Sequence, residues 1–382
     1  MPALVLWHDP KRPSGAFWFF VETHMARRTS PLLTALARLT RSSLRQGARI
    51  SRAAGRQGLA AGEKLSDTAR HALSGVMTPA EAPGPISGGR WSEGHWGLGP
   101  LAMRRYRLFI PAGATARKPL PVLLLLHGCA QDSAAFAAST RCALLARDKG
   151  FAVLMPEQAR EANPQRCWNW FGNPLQIGLE ARILMAIVDH VQAGHPRLRG
   201  PLFALGLSAG GAMALTLGLQ FSARFAAVGS HSGAAPFSAA SALQAGQSMR
   251  GRRSPDTEAI VRHLEGRAPP PVLLIHGDAD HIVDAGNARA AAALWLDLQP
   301  EERAIVERSS SVQRGRRHAV KRTDWLAAGQ PCVRLLEVAG LGHAWSGGAA
   351  GQAFSDPAGP DALRLAWQFF SLSRERGAAS RV

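Results

Sequence analysis

The pentapeptide Gly206-Leu207-Ser208-Ala209-Gly210 restricts what this chain can fold into more than any other stretch. An apolar run, 201–205, precedes it and a helix-like run, 211–217, follows it. A G-x-S-x-G sequence between a strand and a helix is typical of a nucleophile elbow, a sharp turn that raises the serine hydroxyl to where a base can reach it. The alternative interpretation is a glycine-rich packing turn, and the surrounding sequence decides between the two.

Further strands and polar residues surround this turn in the sequence. The apolar runs 121–126 and 271–275 predict buried parallel strands; His127 follows the first, and Asp280 comes shortly after the second. His343 lies in a glycine-flanked loop near the C-terminus. The candidate nucleophile, acid and base therefore come in the order Ser, Asp, His, which is the order of the α/β-hydrolase fold. Strands that alternate with helical patterns predict an α/β protein with a mostly parallel central sheet and helices on both faces.

Shifts in composition predict the domain organisation. The chain has 382 residues, which is enough for one catalytic domain of about 250 to 300 residues with appendages. A stretch rich in Gly and Pro predicts a linker at 78–100. We therefore predict a basic N-terminal extension at 1–77, the catalytic domain at 101–373 and a C-terminal tail at 374–382.

Positive charge is concentrated in two parts of the chain, whose formal net charge is +18. Eight arginines and no acidic residue lie between Met25 and Ala60, and leucines recur there at roughly helical spacing. This pattern favours a solvated, partly disordered basic tail, and the alternative is a basic amphipathic helix that contacts an anionic surface or granule. A second basic cluster, from Arg314 to Arg322, predicts a polar surface hairpin, with a binding patch as the alternative. No specific nucleic-acid partner is expected.

Six short motifs follow one another along the chain. They are His127–Gln131, Pro156–Gln158, Cys167–Phe171, Gly206–Gly211, Gly340–Gly348 and Asp356–Ala362. In sequence and in order they resemble the esterase family of poly(3-hydroxybutyrate) depolymerases, from about Tyr106 to Phe370. The resemblance implies a secreted-type serine esterase on an α/β-hydrolase fold, related to feruloyl and acetylxylan esterases.

Ser208 is the candidate nucleophile, because its hydroxyl lies on the predicted elbow and needs an adjacent base for activation. His343 is the candidate general base, because a loop after the last strand lets its imidazole reach Ser208. His127 and His276 also follow apolar strands, but a histidine before glycine in that position more often shapes a loop.

The acid of the triad orients the imidazole and stabilises its charged form. Asp280 is preferred over Asp278 and Asp284, because the resemblance implies that the aspartate of the pattern G-x-x-D-x-x-V is catalytic. In this fold, the oxyanion hole is formed by two backbone N–H groups. The corresponding residues here are Cys129 and Ala209.

The motifs around Cys129 and Cys167 are brought near the active site in this family. A disulfide between these two cysteines is therefore one prediction, and two buried thiols are the alternative. Trp168, Trp170 and Trp345 are candidates for the wall of an acyl pocket, with core packing as the alternative. Neither zinc-ligand spacing nor a nucleotide fingerprint is present, so no metal and no cofactor are expected.

The expected substrate is a short-chain oligoester of 3-hydroxybutyrate, because nothing like a granule-binding module follows the catalytic domain. A feruloyl or acetylxylan ester is the alternative within the enzyme class, and a basic surface-binding protein with a vestigial hydrolase domain is the alternative of another class. The sequence contains no membrane-spanning apolar run and no classical signal peptide. The resemblance implies an extracellular protein, with a cytoplasmic location as the alternative.

Overall fold

The computed structural model describes residues 87–264 and 266–379. The predicted basic extension at 1–77 and the first part of the predicted linker lie outside these residues. Within the described part, no helix is both long enough and apolar enough to cross a membrane.

Ten of the twelve strands in the described part form one sheet. The strands are β1 (Gly89–Trp96), β2 (Arg104–Pro111), β3 (Val122–Leu126), β4 (Ala152–Glu157), β5 (Leu202–Leu207), β6 (Phe225–His231), β7 (Val272–Gly277), β8 (Ile305–Val312), β9 (Val320–Ala327), β10 (Gln330–Val338), β11 (Trp345–Ser346) and β12 (Ser355–Asp356). The order across the large sheet is β1-β2-β4-β3-β5-β6-β7-β10-β9-β8. The six strands from β4 to β10 in this order run parallel, and an antiparallel pair extends the sheet at each edge.

Helices cover both faces of this sheet. Those in the described part are α1 (Gly99–Ala102), α2 (Ser133–Thr140), α3 (Cys142–Lys149), α4 (Pro174–Gly194), α5 (Ala209–Gln220), α6 (Ala242–Met249), α7 (Thr257–Leu264), α8 (Gly286–Asp297) and α9 (Ala362–Ala379). Residues of α4, α5 and α8 pack into one hydrophobic core, and residues of α2, α3 and α9 pack into a second core. The segment predicted as a C-terminal tail, 374–382, is helical as far as Ala379.

The burial of strand β3 shows that both faces of the sheet are covered. Every one of its residues is apolar and fully buried, which a strand achieves only when both faces of its sheet are packed. Leu123 and Leu125 contribute to one core, while Leu124 and Leu126 contribute to the other, because successive side chains of a strand point to opposite faces. The predicted α/β-hydrolase architecture is confirmed.

The predicted linker at 78–100 is wrong for its second half, where β1 pairs with β2 along its whole length. Glycines in β1 make room for aromatic rings on β2. A Cβ built on Gly89 would lie 2.2 Å from the Phe109 ring, and a Cβ built on Gly94 would lie 2.4 Å from the Tyr106 ring. Glycines that suggest a linker in the sequence therefore permit close packing at this sheet edge.

The basic cluster at 314–322 lies on the turn and second strand of the β8–β9 hairpin, as predicted. Val320 of β9 pairs with Val338, the last residue of β10. The turn between β8 and β9 therefore lies at the carboxyl edge of the parallel strands, the same edge as the candidate catalytic residues.

Candidate active site

Ser208 occupies a strained turn between β5 and α5. Its φ is 56° and its ψ is −119°, values that non-glycine residues seldom adopt and that active sites often retain. Gly206 and Gly210 allow the close approach of strand and helix. A Cβ on Gly206 would lie 2.2 Å from the Gly210 carbonyl carbon, and a Cβ on Gly210 would lie 2.3 Å from the Leu126 oxygen. This stretch has the geometry of a nucleophile elbow.

Three residues from distant parts of the chain meet at this elbow. His343 Nε2 lies 3.0 Å from Ser208 Oγ, and His343 Nδ1 lies 2.7 Å from Asp280 Oδ2. Because the carboxylate only accepts, the Nδ1–H donates to Asp280 and leaves Nε2 free to accept the serine proton. The Ser208 side chain is only partly buried, so a substrate can reach it. This arrangement can activate a hydroxyl for attack on a carbonyl carbon.

The Asp280 carboxylate is held by several donors. Its Oδ1 accepts hydrogen bonds from the backbone N–H groups of Ile282 and Val283, each at 2.9 Å. The ring of His276 approaches its Oδ2 at 3.4 Å. Burial raises the pKa of Asp280, but the hydrogen bonds from His276, His343 and the backbone outweigh it and hold the pKa well below its usual range. Asp280 is therefore ionised and able to stabilise a charged imidazole.

The loop after β3 passes directly beside the elbow. A Cβ built on Gly128 would lie 3.6 Å from the Ser208 Cβ, and the Gly128 N–H donates to Gln131 Oε1 at 2.9 Å. Cys129 follows Gly128 in this loop. Ala209 is the first residue of α5, and the first N–H groups of a helix have no partner within it. Of the two backbone positions predicted for the oxyanion hole, Ala209 thus follows Ser208 directly and Cys129 follows the glycine that approaches it.

His127 fixes the conformation of this loop. Its Nδ1–H donates to the Gly128 carbonyl at 2.8 Å, so its Nε2 accepts from the Gln158 backbone N–H at 3.1 Å. The Trp168 indole N–H donates to the His127 carbonyl at 3.0 Å. Burial lowers the pKa of His127, which keeps the ring neutral. Both ring nitrogens of His127 are therefore engaged in holding the loop, and neither is free to act as a base.

A disulfide joins Cys129 to Cys167, across 38 residues of sequence. It attaches the loop beside Ser208 to the segment 163–169. The same segment also holds this loop through the backbone, since the Ala130 N–H donates to the Gln165 carbonyl at 2.8 Å. The loop that carries Cys129 is therefore fixed covalently and by hydrogen bonds.

A buried carboxylate holds this segment in place through hydrogen bonds. Glu180 of α4 accepts from Arg104 at 3.0 Å, from Gln158 Nε2 at 3.0 Å and from Asn169 Nδ2 at 2.6 Å. Gln158 in turn donates to the Cys167 carbonyl at 3.0 Å. The side chains of Arg104 and Glu180 are 1% and 4% exposed. The network links the core of α4 to the segment that carries Cys167.

Glu180→Ala is expected to lower the free energy of unfolding by about 3 to 5 kcal/mol, because it leaves the Arg104 guanidinium buried without its carboxylate. Urea denaturation followed by tryptophan fluorescence measures the loss. Glu93→Ala is the matched control, since Glu93 likewise forms ion pairs with arginine but its side chain is 54% exposed. Its cost should stay below about 1 kcal/mol. Equal losses in the two variants would contradict a structural role for the buried pair.

The three candidate pocket tryptophans are all core residues. Trp168, Trp170 and Trp345 are 0%, 5% and 1% exposed, so the interpretation as pocket walls is wrong and the core alternative holds. Trp345 packs edge-on against Phe136, with ring centroids 5.3 Å apart. Trp168 donates to the His127 carbonyl and so supports the loop after β3.

Sequence reasoning missed His231, the last residue of β6. Its carbonyl accepts from the Ser208 N–H at 2.8 Å, and its Nε2 accepts from the Ser346 N–H at 3.1 Å. Its ring stacks on Trp345, with centroids 5.1 Å apart. Burial, with the nearby His276 and His343, lowers the pKa of His231 to about 3, so it stays a neutral hydrogen-bond acceptor. The only sequence signal was its position at the end of an apolar strand beside the elbow.

The sheet order, the elbow and the Ser-His-Asp geometry define an α/β-hydrolase. A family model described as Esterase PHB depolymerase matches residues 104–315. The chain therefore belongs to the PHB depolymerase family of esterases. The matched residues include Ser208 and Asp280 and end before His343.

Two curated proteins are similar in sequence. Poly(3-hydroxyalkanoate) depolymerase C of Paucimonas lemoignei is 27% identical over 263 residues, which is 65% of this chain and 60% of the depolymerase. The chain thus spans less than two thirds of that relative. Feruloyl esterase B of Neurospora crassa is 26% identical over 220 residues, 53% of this chain and 73% of that protein.

A solved structure with a similar fold is the acetyl xylan esterase from Aspergillus awamori. It superposes with a TM-score of 0.57 at 15% identity, covering 74% of this chain and 99% of that chain. At this identity the likeness supports the fold alone.

Proposed function

We propose that the protein is a serine esterase that hydrolyses carboxylic esters through an acyl-enzyme on Ser208. The observation that carries the proposal is the continuous hydrogen-bonded series from Ser208 Oγ through His343 to Asp280, with contacts of 3.0 and 2.7 Å. Membership in an esterase family supports the same reaction.

In the proposed acylation step, Ser208 Oγ attacks the ester carbonyl carbon while His343 Nε2 takes the serine proton. Asp280 stabilises the imidazolium through its Nδ1–H. The N–H groups of Cys129 and Ala209 stabilise the oxyanion, each contributing roughly 3 to 4 kcal/mol to the transition state. When the carbon–oxygen bond of the ester breaks, His343 returns the proton to the leaving alcohol.

The second half of the cycle repeats this chemistry with water. His343 takes a proton from water as the water oxygen attacks the acyl carbon, and the second tetrahedral intermediate collapses to release the carboxylic acid. The proton on His343 then returns to Ser208 Oγ. Atoms and charge balance over one ester and one water.

The proposed substrate is a short-chain oligoester of 3-hydroxybutyrate. The family model and the similarity to a poly(3-hydroxyalkanoate) depolymerase favour this choice. A feruloyl or acetylxylan-type ester is the second candidate, favoured by the similarity to feruloyl esterase B.

A panel of substrates tests the proposal. Values of kcat/KM for p-nitrophenyl butyrate, a linear 3-hydroxybutyrate trimer, methyl ferulate and acetylated xylan would be compared on the purified full-length chain. We expect the trimer to exceed methyl ferulate and acetylated xylan by at least about tenfold, which corresponds to about 1.4 kcal/mol of transition-state binding. The reverse order would support the second candidate, and no hydrolysis of any ester would contradict the esterase.

We further propose an extracellular location, with a basic N-terminal segment that contacts an anionic surface or granule. The disulfide between Cys129 and Cys167 supports the location, because such bonds persist in oxidising compartments. The eight arginines between Met25 and Ala60 support the surface contact. Fractionation of cells that produce the tagged full-length chain tests the location, and retention of all the protein in the cytoplasm would contradict it.

A further inference from the structure

A groove of about 670 Å³ lies beside the β8–β9 hairpin, between this hairpin and helices α3 and α9. None of Ser208, Asp280 and His343 lines it. Its volume falls within the range of about 300 to 1,000 Å³ that is typical of small-molecule sites. The groove is therefore a candidate binding site apart from the proposed catalytic one.

The floor of the groove is aliphatic. Val320 of β9 and Leu336 of β10 belong to the sheet, while Leu145 of α3 and Leu363 of α9 come from the helices, and all four are at least nine-tenths buried. Val312, at the end of β8, lies at the mouth and is 48% exposed. Such a floor favours a ligand with a hydrocarbon portion.

The rim of the groove is strongly basic. Six arginines line it against only two aspartates, Asp148 and Asp361. The arginines come from the residue before α3, from its last turn, from the hairpin and from α9: Arg141, Arg147, Arg314, Arg317, Arg322 and Arg364. This excess of positive charge favours an anionic group on the ligand.

Two rim arginines retain donors for a ligand. The Arg314 guanidinium makes no hydrogen bond or ion pair with residues 87–264 or 266–379, and Arg364 approaches the Asp361 carboxylate only at 3.8 Å. Arg141 and Arg317 each donate to a backbone carbonyl, of Gly347 and Gly359 respectively, and so are held in place. A guanidinium has five N–H donors, and its planar fork matches the two oxygens of a carboxylate.

We propose that this groove binds an aliphatic carboxylate, with its hydrocarbon chain on the leucine and valine floor and its carboxylate between Arg314 and Arg364. A nucleotide fits poorly, because His318 is the only aromatic ring among the lining side chains and offers little surface for a base to stack on. A fatty acid and the acid end of an oligoester share the proposed chemistry. The site stands apart from the esterase reaction, so either proposal can fail alone.

Isothermal titration calorimetry on the full-length chain tests the proposal with octanoate, butyrate and 1-octanol. Octanoate should bind at least tenfold more tightly than butyrate and than 1-octanol. Each added methylene should tighten binding by up to about fourfold, because it removes apolar surface from water. A linear 3-hydroxybutyrate trimer, titrated into the Ser208→Ala protein to prevent turnover, distinguishes an oligoester acid from a fatty acid.

The double substitution Arg314→Ala/Arg364→Ala should weaken octanoate binding at least tenfold. Arg182→Ala/Arg262→Ala is the matched control, since it removes the same charge from exposed positions on α4 and α7, outside the groove. Hydrolysis of p-nitrophenyl butyrate by each variant reports on folding. Equal octanoate affinity in the two double variants would overturn the proposal, as would binding of 1-octanol or butyrate as tight as that of octanoate.

Discussion

Ser208→Ala is expected to reduce the turnover of p-nitrophenyl butyrate by a factor on the order of 10³ or more, because no acyl-enzyme can form without the hydroxyl. The hydroxyl is the group that His343 Nε2 meets at 3.0 Å, and the strained turn presents it to the substrate. Alanine fits the same turn without new contacts, so the fold should be retained. Steady-state hydrolysis and circular dichroism on the same preparation measure the two properties.

The control for this substitution is Ser310→Ala, which removes a hydroxyl from the exposed strand β8 and should leave turnover unchanged. Treatment with diisopropyl fluorophosphate adds a second readout. Mass spectrometry should place the phosphoryl group on Ser208 in the wild-type chain and find none in Ser208→Ala. Retention of more than a tenth of the wild-type turnover in a folded Ser208→Ala protein would contradict the proposed mechanism.

The elbow could be predicted because its determinants are local in sequence. Apolar residues for β5, two glycines around Ser208 and small residues for α5 follow one another within 19 positions, 202–220. The loop position of His343 and, for Asp280, the resemblance to a known family then selected the other two residues, which are 135 and 72 residues from the serine. The structure brings His343 to Ser208 and Asp280 to His343. Their catalytic roles remain proposals.

The supporting contacts could not be predicted, because they pair residues by topology. Arg104 and Glu180 are 76 residues apart, and neither carries a local pattern that marks it as buried. The backbone carbonyl of His231 receives the Ser208 N–H only because β5 and β6 are neighbours in the sheet. Trp168 illustrates the same limit. The sequence around Trp168 fits a pocket wall or a core side chain equally. Only its burial and its hydrogen bond to the His127 carbonyl distinguish the two interpretations.

Asp280→Asn is expected to lower kcat by roughly 10³- to 10⁴-fold while leaving the fold intact. The amide has nearly the shape of the carboxylate and can still accept from the N–H groups of Ile282 and Val283. It cannot stabilise the imidazolium on His343, and its NH₂ group favours the tautomer with the proton on Nε2, which cannot accept from Ser208. Values of kcat and KM for p-nitrophenyl butyrate, with the thermal unfolding midpoint, measure the effect.

Asp278→Asn and Asp284→Asn are the controls, because both aspartates are near Asp280 in sequence and both were alternatives for the acid. Asp278 Oδ1 accepts from the Gly340 N–H at 2.7 Å, and Asp284 Oδ1 accepts from the Gly286 N–H at 2.7 Å, so each holds a turn and neither contacts His343. Their substitution should change kcat by less than about tenfold, the equivalent of 1.4 kcal/mol. If Asp278→Asn or Asp284→Asn instead lost as much turnover as Asp280→Asn, the assignment of Asp280 as the residue that orients the imidazole would be wrong.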